Sequence, residues 1–304
     1  MTLLFEQILN GLQFGIMLFL LSAGLTLIFG IMGLINLAHG SLYMVGAYIA
    51  AFIAEQTGSF LAAGAVALLA TGVIGIVIEF LIMRRLYLRD HLDQVLATFG
   101  LILFFNEAMA WIFGRQPRFM DIPEALAGTI NIASAFPYPL YRLVVIAVGL
   151  FIAAALYVLV QRTRLGMQIR AGATHREIIS ALGVNIRWLY TLIFGLGALL
   201  AGLAGVMAGP ILAVQPGMGE HILIQTFVVV VVGGLGSLRG AFVGALLVGM
   251  TDTMARAYLP MLLKQLTDAA TASGMGAGLA SAAVYILMAI ILIWRPRGLF
   301  PAHA

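Results

Sequence analysis

Long apolar runs, separated by short polar loops, constrain the fold of this chain more than any other feature. A helix needs about 20 apolar residues to cross a bilayer, because the membrane interior offers no water to its backbone polar groups. Several of the runs are short or merge, so we expect about eight transmembrane helices, within a range of seven to ten. The runs lie near residues 8–30, 41–54, 60–83, 94–114, 139–160, 188–212, 222–235, 240–259 and 279–294. The chain is therefore predicted to be an all-α, polytopic integral membrane protein in which residues 1–304 form a single transmembrane domain.

Charged residues are rare and are concentrated in the loops. They make up 9% of the chain, whereas a soluble domain carries about 25%. The formal net charge of +4 indicates no nucleic-acid partner, since the basic residues occupy short loops in the way that orientation signals do. We expect membrane lipid to surround the chain.

The arginines also predict an orientation. Those at 84–89, 162–187 and 295–297 fall on one side if nine passes alternate, and such a bias marks the cytoplasmic side. The N-terminus is then outside and the C-terminus is cytoplasmic. Residues 115–138 and 260–278 form the main external loops.

Two glycine-rich stretches, at residues 30–41 and 233–240, predict broken helices. A pair of interrupted segments in opposite halves of a chain is typical of a transport pathway built from repeats. The alternatives are tight turns with close helix packing and, for Asn36 and His39, capping of the broken helix ends. The candidate residues of a translocation path or gate are Asn36, His39, Gly40, Ser41, Gln225, Gly233, Gly234, Gly236 and Ser237.

The polar island at residues 161–187 predicts a short helix on the cytoplasmic side. Thr174 and Glu177 have the spacing of a capping box, and Gly183 occupies the place of a left-handed C-cap. Ile178, Ile179 and Leu182 give this helix an apolar face. A helix of about two turns is not stable alone, so it needs a partner protein. The alternative is that it lies on the membrane surface or on the chain's own spans.

For the polar groups within the apolar runs, a structural role is favoured over a role in transport. Glu79 precedes Arg84 and Arg85, and Asp252 lies four residues before Arg256, so both carboxylates predict local ion pairs. Asn106 and Glu107 predict a hydrogen bond to a neighbouring helix. The alternative, a proton or substrate role for these groups, would suit a secondary transporter.

The sequence lacks the residue patterns of an enzyme. It contains no cysteine, no two histidines share a helix at i, i+4, and the dipeptide Gly-Lys of a phosphate-binding loop does not occur. We therefore expect no catalytic residues, no metal site and no cofactor on this chain. If ATP and Mg²⁺ drive transport, they bind to other subunits.

Four motifs give a family resemblance that extends over the whole chain. Residues 33–40 read GLINLAHG, residues 43–48 read YMVGAY, residues 232–241 read VGGLGSLRGA and residues 295–300 read RPRGLF. Together they resemble the permeases of branched-chain amino acid ABC importers (LivH type). Glu177 followed by Gly183 resembles the coupling loop of ABC permeases, although Ile178 and Ile179 replace its two alanines. Ser41 stands where many relatives have an acidic residue.

The resemblance implies a permease subunit that moves branched-chain or related amino acids across a bacterial inner membrane. Its implied partners are a paralogous second permease, two ABC ATPase subunits that hydrolyse ATP, and a periplasmic substrate-binding protein. Residues 174–183 would then be the coupling helix that docks on an ATPase subunit. Two alternatives stay open: an ABC permease for urea or short-chain amides, and a secondary transporter or channel that acts alone.

Overall fold

The computed structural model describes residues 2–87, 89–132, 136–174, 176–265 and 268–301. The helix Phe60–Ile78 continues through a π-helical turn, Glu79–Met83, into the short helix Arg84–Leu86. The helices are α1 (Thr2–Met32), α2 (His39–Thr57), α3 (Phe60–Ile78), α4 (Arg84–Leu86), α5 (His91–Phe113), α6 (Leu140–Arg162), α7 (Arg164–Thr174), α8 (Arg176–Ala181), α9 (Ile186–Ala208), α10 (Met218–Gly233), α11 (Leu238–Leu263) and α12 (Ala269–Trp294).

The predicted helical membrane fold is confirmed. Six helices in the described ranges are long and apolar enough to cross a membrane, and α10 is a shorter apolar helix. The predicted number of eight spans stays a prediction. One small antiparallel hairpin departs from the all-α pattern: β1 (Thr129–Ile132) pairs with β2 (Phe136–Pro139). We call the end of the bundle that carries α7 and α8 the island face, and the end that carries the hairpin the opposite face.

Helices α1 and α9 form the centre of the bundle. In their most apolar windows, 83% of α1 residues and 78% of α9 residues are buried, against 22% for α5 and for α12. The two central helices are antiparallel, since Tyr190 of α9 lies near Ile31 of α1 and Gly197 packs on Gly24. A Cβ at Gly24 would lie 2.9 Å from the carbonyl oxygen of Gly197, so glycine permits this close approach.

Two helices begin inside the bundle. The first residue of α2, His39, places its Nε2 3.1 Å from the carbonyl oxygen of Leu21, within α1. The start of α10 lies beside it, because a Cβ at Gly40 would be 2.2 Å from the Gly219 oxygen and a Cβ at Gly219 would be 2.3 Å from the Gly40 oxygen. The N-termini of α2 and α10 therefore meet backbone to backbone.

The packing repeats in the two halves of the chain with inverted direction. Helix α2 packs against α9 and α3, and α10 packs in the same way against α1 and α11. Because α1 and α9 are antiparallel, the two units have opposite orientation, as in transporters with inverted repeats. The predicted pairing of residues 30–41 with 233–240 is wrong, since the counterpart of the first break is the non-helical segment 209–217 that precedes α10.

The stretch at 233–240 is a tight reversal between α10 and α11. A Cβ at Gly233 would lie 2.3 Å from the Gly240 oxygen, so the two helices touch at their glycines. The C-terminal segment also pairs with this turn: the Leu299 amide donates to the Val232 oxygen and the Phe300 amide donates to the Gly233 oxygen, both at 2.9 Å.

Candidate coupling helix and translocation path

The polar island forms a helix that ends where the sequence predicts. Helix α8 closes with a Schellman motif: the Gly183 amide donates to Ser180 O at 3.0 Å, and the Val184 amide donates to Ile179 O at 3.2 Å. Gly183 has φ +89°, a left-handed conformation that costs little only for glycine. The predicted C-cap is confirmed.

The N-terminal prediction for this helix is wrong. Thr174 is the last residue of α7, and its hydroxyl donates to the carbonyl oxygen of Arg170 at 3.1 Å. Among the described hydrogen bonds it makes none with the amide of Glu177. When the chain before it is helical, a threonine hydroxyl can donate to the carbonyl oxygen four residues earlier. No local sequence pattern indicates that α7 extends as far as Thr174. His175, inside the predicted capping box, lies outside the described residues.

The apolar residues of α8 point in two directions. Ile179 is 7% exposed and faces the protein, whereas Ile178 and Leu182 are 57% and 77% exposed. Glu177 is exposed beside them. The predicted single apolar face is therefore split: Ile179 anchors the helix, and Glu177, Ile178 and Leu182 form an outward surface. We call these three residues the outer surface of α8.

The segment after α8 leads directly into a central helix. Asn185 caps α9, since its side-chain oxygen accepts from the Trp188 amide at 3.1 Å. Only two residues, Val184 and Asn185, separate Gly183 from α9. Helices α8 and α9 are thus joined by a short, hydrogen-bonded connection.

A buried polar cluster ties α9 to the π-helical turn after α3. Glu79, 0% exposed, accepts from Arg84 Nε at 3.0 Å and from the Tyr87 hydroxyl at 2.5 Å. The Thr191 hydroxyl lies 2.8 Å from the second Glu79 oxygen and 2.7 Å from an Arg84 nitrogen. The predicted Glu79–Arg84 ion pair is confirmed, and so is that of Asp252 with Arg256, at 2.8 Å.

The first group of predicted path residues is buried where α2 and α10 meet. Asn36 is 1% exposed, His39 is 0% exposed and Ser41 is 4% exposed, and Gly40 contacts Gly219. Both polar atoms of the Asn36 side chain and Nδ1 of His39 have no hydrogen-bond partner among the described residues. Buried polar atoms without partners are energetically costly. These three atoms at the centre of the bundle are therefore able to form further hydrogen bonds.

The other predicted path residues lie elsewhere. Gly236 and Ser237 line a cleft of about 1200 Å³ at the island face, between α1, α6, α7 and the turn that precedes α11. Gly233 and Gly234 are buried against Gly240 and the C-terminal segment. Gln225 is half-buried on α10. The structure therefore places the predicted path residues at four sites in the bundle.

One polar contact at the start of α10 joins Asn106 of α5 to Glu220 of α10. Asn106 of α5 donates from its side-chain amide to the Glu220 carboxylate, and its Oδ1 accepts from the Gly217 amide at 3.1 Å. The predicted bond from Asn106 to a neighbouring helix is confirmed. Glu220 precedes the apolar run at 222–235, so the sequence alone gives no sign that it lies inside the bundle.

Comparison with known proteins assigns the family. The chain matches the model of the branched-chain amino acid transport system permease component over residues 7–294. The chain belongs to this family. It is similar to the high-affinity branched-chain amino acid permease BraD of Pseudomonas aeruginosa, at 28% identity over 97% of this chain and 94% of the relative.

Other members of the permease family show the same end-to-end likeness. LivH of Escherichia coli K12 is 30% identical over 97% of this chain and 94% of its own length. A probable LivH of Methanocaldococcus jannaschii is 26% identical over 84% and 82%. No solved structure matches the chain significantly.

Proposed function

We propose that this chain is the membrane permease of a bacterial ABC importer for branched-chain or related amino acids, with the island face in the cytoplasm of the inner membrane. The family assignment and the transport systems named for BraD and LivH support the cargo class. The arginines of the island support the orientation. A permease for urea or short amides is not favoured, because the curated relatives that match over the whole chain are named for branched-chain amino acids.

The main structural support for the proposal is the outer surface of α8. Two large apolar side chains are exposed, Ile178 within the six-residue helix α8 and Leu182 directly after it. A glycine cap and the buried Ile179 hold this helix in place. Since the sequence has no phosphate-binding loop, the energy comes from two ATPase subunits, which hold the ATP and Mg²⁺. A rigid element with an exposed apolar surface suits docking on such a subunit.

The proposed mechanism is alternating access. Closure of the ATPases moves α8, and the Asn185 cap passes the movement to α9. Because the Thr191–Glu79–Arg84 cluster bonds α9 to the turn between α3 and α4, these helices move together with α9. The close contact of Gly24 with Gly197 transmits the movement to α1. The periplasmic binding protein docks on the opposite face, around residues 115–138, and cargo passes between this chain and a paralogous second permease.

Reconstitution tests the function. Liposomes containing both permeases and the ATPases, with binding protein and leucine, isoleucine or valine outside, should show uptake only when ATP is supplied to the ATPase side. An excess of urea or acetamide should not compete. Uptake by this chain alone, without ATPase subunits or nucleotide, would instead identify a secondary transporter or channel and refute the proposal.

A further inference from the structure

A polar surface faces outward from the bundle at the junction of α5 and α10. We define the α5–α10 surface as Asn106 on α5 and Glu220, His221, Ile224 and Gln225 on α10. Glu220, His221 and Ile224 are exposed, while Asn106 and Gln225 are half-buried.

This surface lies at the depth of the membrane and not beyond it. Asn106 precedes the end of α5 at Phe113 by seven residues, which is about 10 Å along a helix. Glu220 directly follows Gly219, whose backbone touches Gly40 beside the buried His39. The α5–α10 surface is therefore surrounded by the layer that the helices span.

An exposed carboxylate at that depth is costly if lipid surrounds it. Charged side chains within membrane helices are rare for this reason, and they usually face the interior of the bundle or a water-filled cavity. The buried carboxylates of the bundle meet this cost with arginine partners, Arg84 for Glu79 and Arg256 for Asp252. Glu220 has no ion pair among the described residues, so it needs water or a cation in front of it.

Asn106 holds the carboxylate of Glu220 in a fixed position. Because its Oδ1 accepts from the Gly217 backbone amide, its amide nitrogen is directed to Glu220, to which it donates. Glu220 also lies in the first turn of α10, at the end of a helix dipole that attracts negative charge. One carboxylate oxygen is thus held by Asn106, while the side chain as a whole is exposed.

We propose that the α5–α10 surface lines the translocation path opposite the second permease, and that Glu220 receives the α-ammonium group of the amino acid cargo. The assignment of an amino acid as cargo rests on the proposed function. A carboxylate complements an ammonium group, and Ile224, one turn further along the same side of α10, offers apolar surface to an aliphatic side chain. The water of the path accounts for the exposed charge.

Cysteine labelling tests whether this surface faces water. The chain has no cysteine, so single cysteines can be introduced without other changes. Ile224→Cys is compared with Val73→Cys, because both native side chains are apolar and exposed, at 50% and 60%, and Val73 lies at the middle of the span Phe60–Leu86. In the assembled importer, a membrane-impermeant cationic methanethiosulfonate should modify the Ile224→Cys variant at least tenfold faster than the Val73→Cys variant, and leucine should slow the faster reaction. Equal rates in the two variants, or an unreactive thiol in Ile224→Cys, would overturn the proposal.

Charge removal tests the role of Glu220 itself. Glu220→Gln should lower leucine uptake at least tenfold without loss of the assembled complex, and Glu220→Asp should retain part of the activity. The matched control is Glu107→Gln on α5, whose carboxylate is already paired with Arg115 at 2.8 Å, and uptake should stay within twofold of wild type. Normal uptake by Glu220→Gln would disprove ammonium binding. If the importer takes up no amino acid while the thiol of Ile224→Cys is still labelled, an amino acid is not the cargo and the proposed function fails. The labelling would still support a water-filled path at this surface.

Discussion

Replacement of Gly183 by alanine should uncouple ATP hydrolysis from transport. Gly183 has φ +89°, and a Cβ built there meets nothing within 4 Å. The substitution therefore causes no clash, and its whole cost is that of a left-handed backbone in an L-residue, about 1–2 kcal/mol. This strain destabilises the cap of a helix of only six residues. The ratio of capped to frayed helix should therefore fall by about five- to thirtyfold.

The expected result is measured as amino acid transported per ATP hydrolysed in proteoliposomes. The ratio should fall by at least fivefold in Gly183→Ala, because a frayed α8 no longer transmits movement to α9. The complex should still assemble, since Ile178 and Leu182 are unchanged. Gly183→Asn should recover much of the ratio, because asparagine adopts the left-handed conformation more readily than alanine does.

Gly58 provides the matched control. It is the left-handed C-cap of α2, with φ +65°, no atom within 4 Å of a Cβ, and its amide bonded to Ala54 O at 2.8 Å. Gly58→Ala carries a similar backbone strain at the opposite face of the bundle, and it should leave the ratio unchanged. Normal coupling in Gly183→Ala, or an equal loss in Gly58→Ala, would refute the argument that the cap of α8 transmits movement.

Three other substitutions separate docking, anchoring and packing. Leu182→Asp should reduce copurification of the ATPase subunits without changing the melting temperature of the isolated permease, and an unchanged yield would contradict docking at α8. Ile179→Ala should lower that melting temperature, because it removes a buried side chain at a cost of about 2–5 kcal/mol at most. Gly40→Ala should prevent folding, measured as the yield of monodisperse protein, whereas Gly100→Ala, with open space around its Cβ, should be tolerated.

The sequence predicts those parts of the fold that depend on neighbouring residues. The apolar runs, the pairing of Glu79 with Arg84 and of Asp252 with Arg256, and the cap at Gly183 all follow from spacings of seven residues or fewer or from lengths of single helices. The two ion pairs and the cap are confirmed, because helix geometry alone sets such local features, and each apolar run is largely helical. The family resemblance added the assignment that local patterns alone left open.

Features that depend on where helices lie relative to one another were predicted less well. Ile178 and Ile179 are equivalent in the sequence, yet one is exposed and the other buried, because the neighbouring elements cover only one side of α8. Glu220 resembles a loop residue, and its depth is set by the return of segment 209–217 into the bundle. Neither outcome can be read from a window of local sequence.

The inverted repeat shows why motif comparison paired the wrong segments. Residues 30–41 and 233–240 share glycines partly because both contain a close approach of two backbones, at Gly40 and at Gly233, and any such approach selects glycine whatever the symmetry. The symmetric partner of Gly40 is Gly219, in a stretch whose flanking residues, Met218 and Glu220, bear no likeness to His39 and Ser41. Helices α2 and α10 share this backbone contact, but their side chains differ. The α2 end holds buried polar atoms that have no hydrogen-bond partner among the described residues, and the α10 end presents an exposed carboxylate. If cargo passes along α10, this divergence has a physical cause: the buried member of the pair maintains the contact, and the exposed member is free to acquire the charge that an amino acid requires.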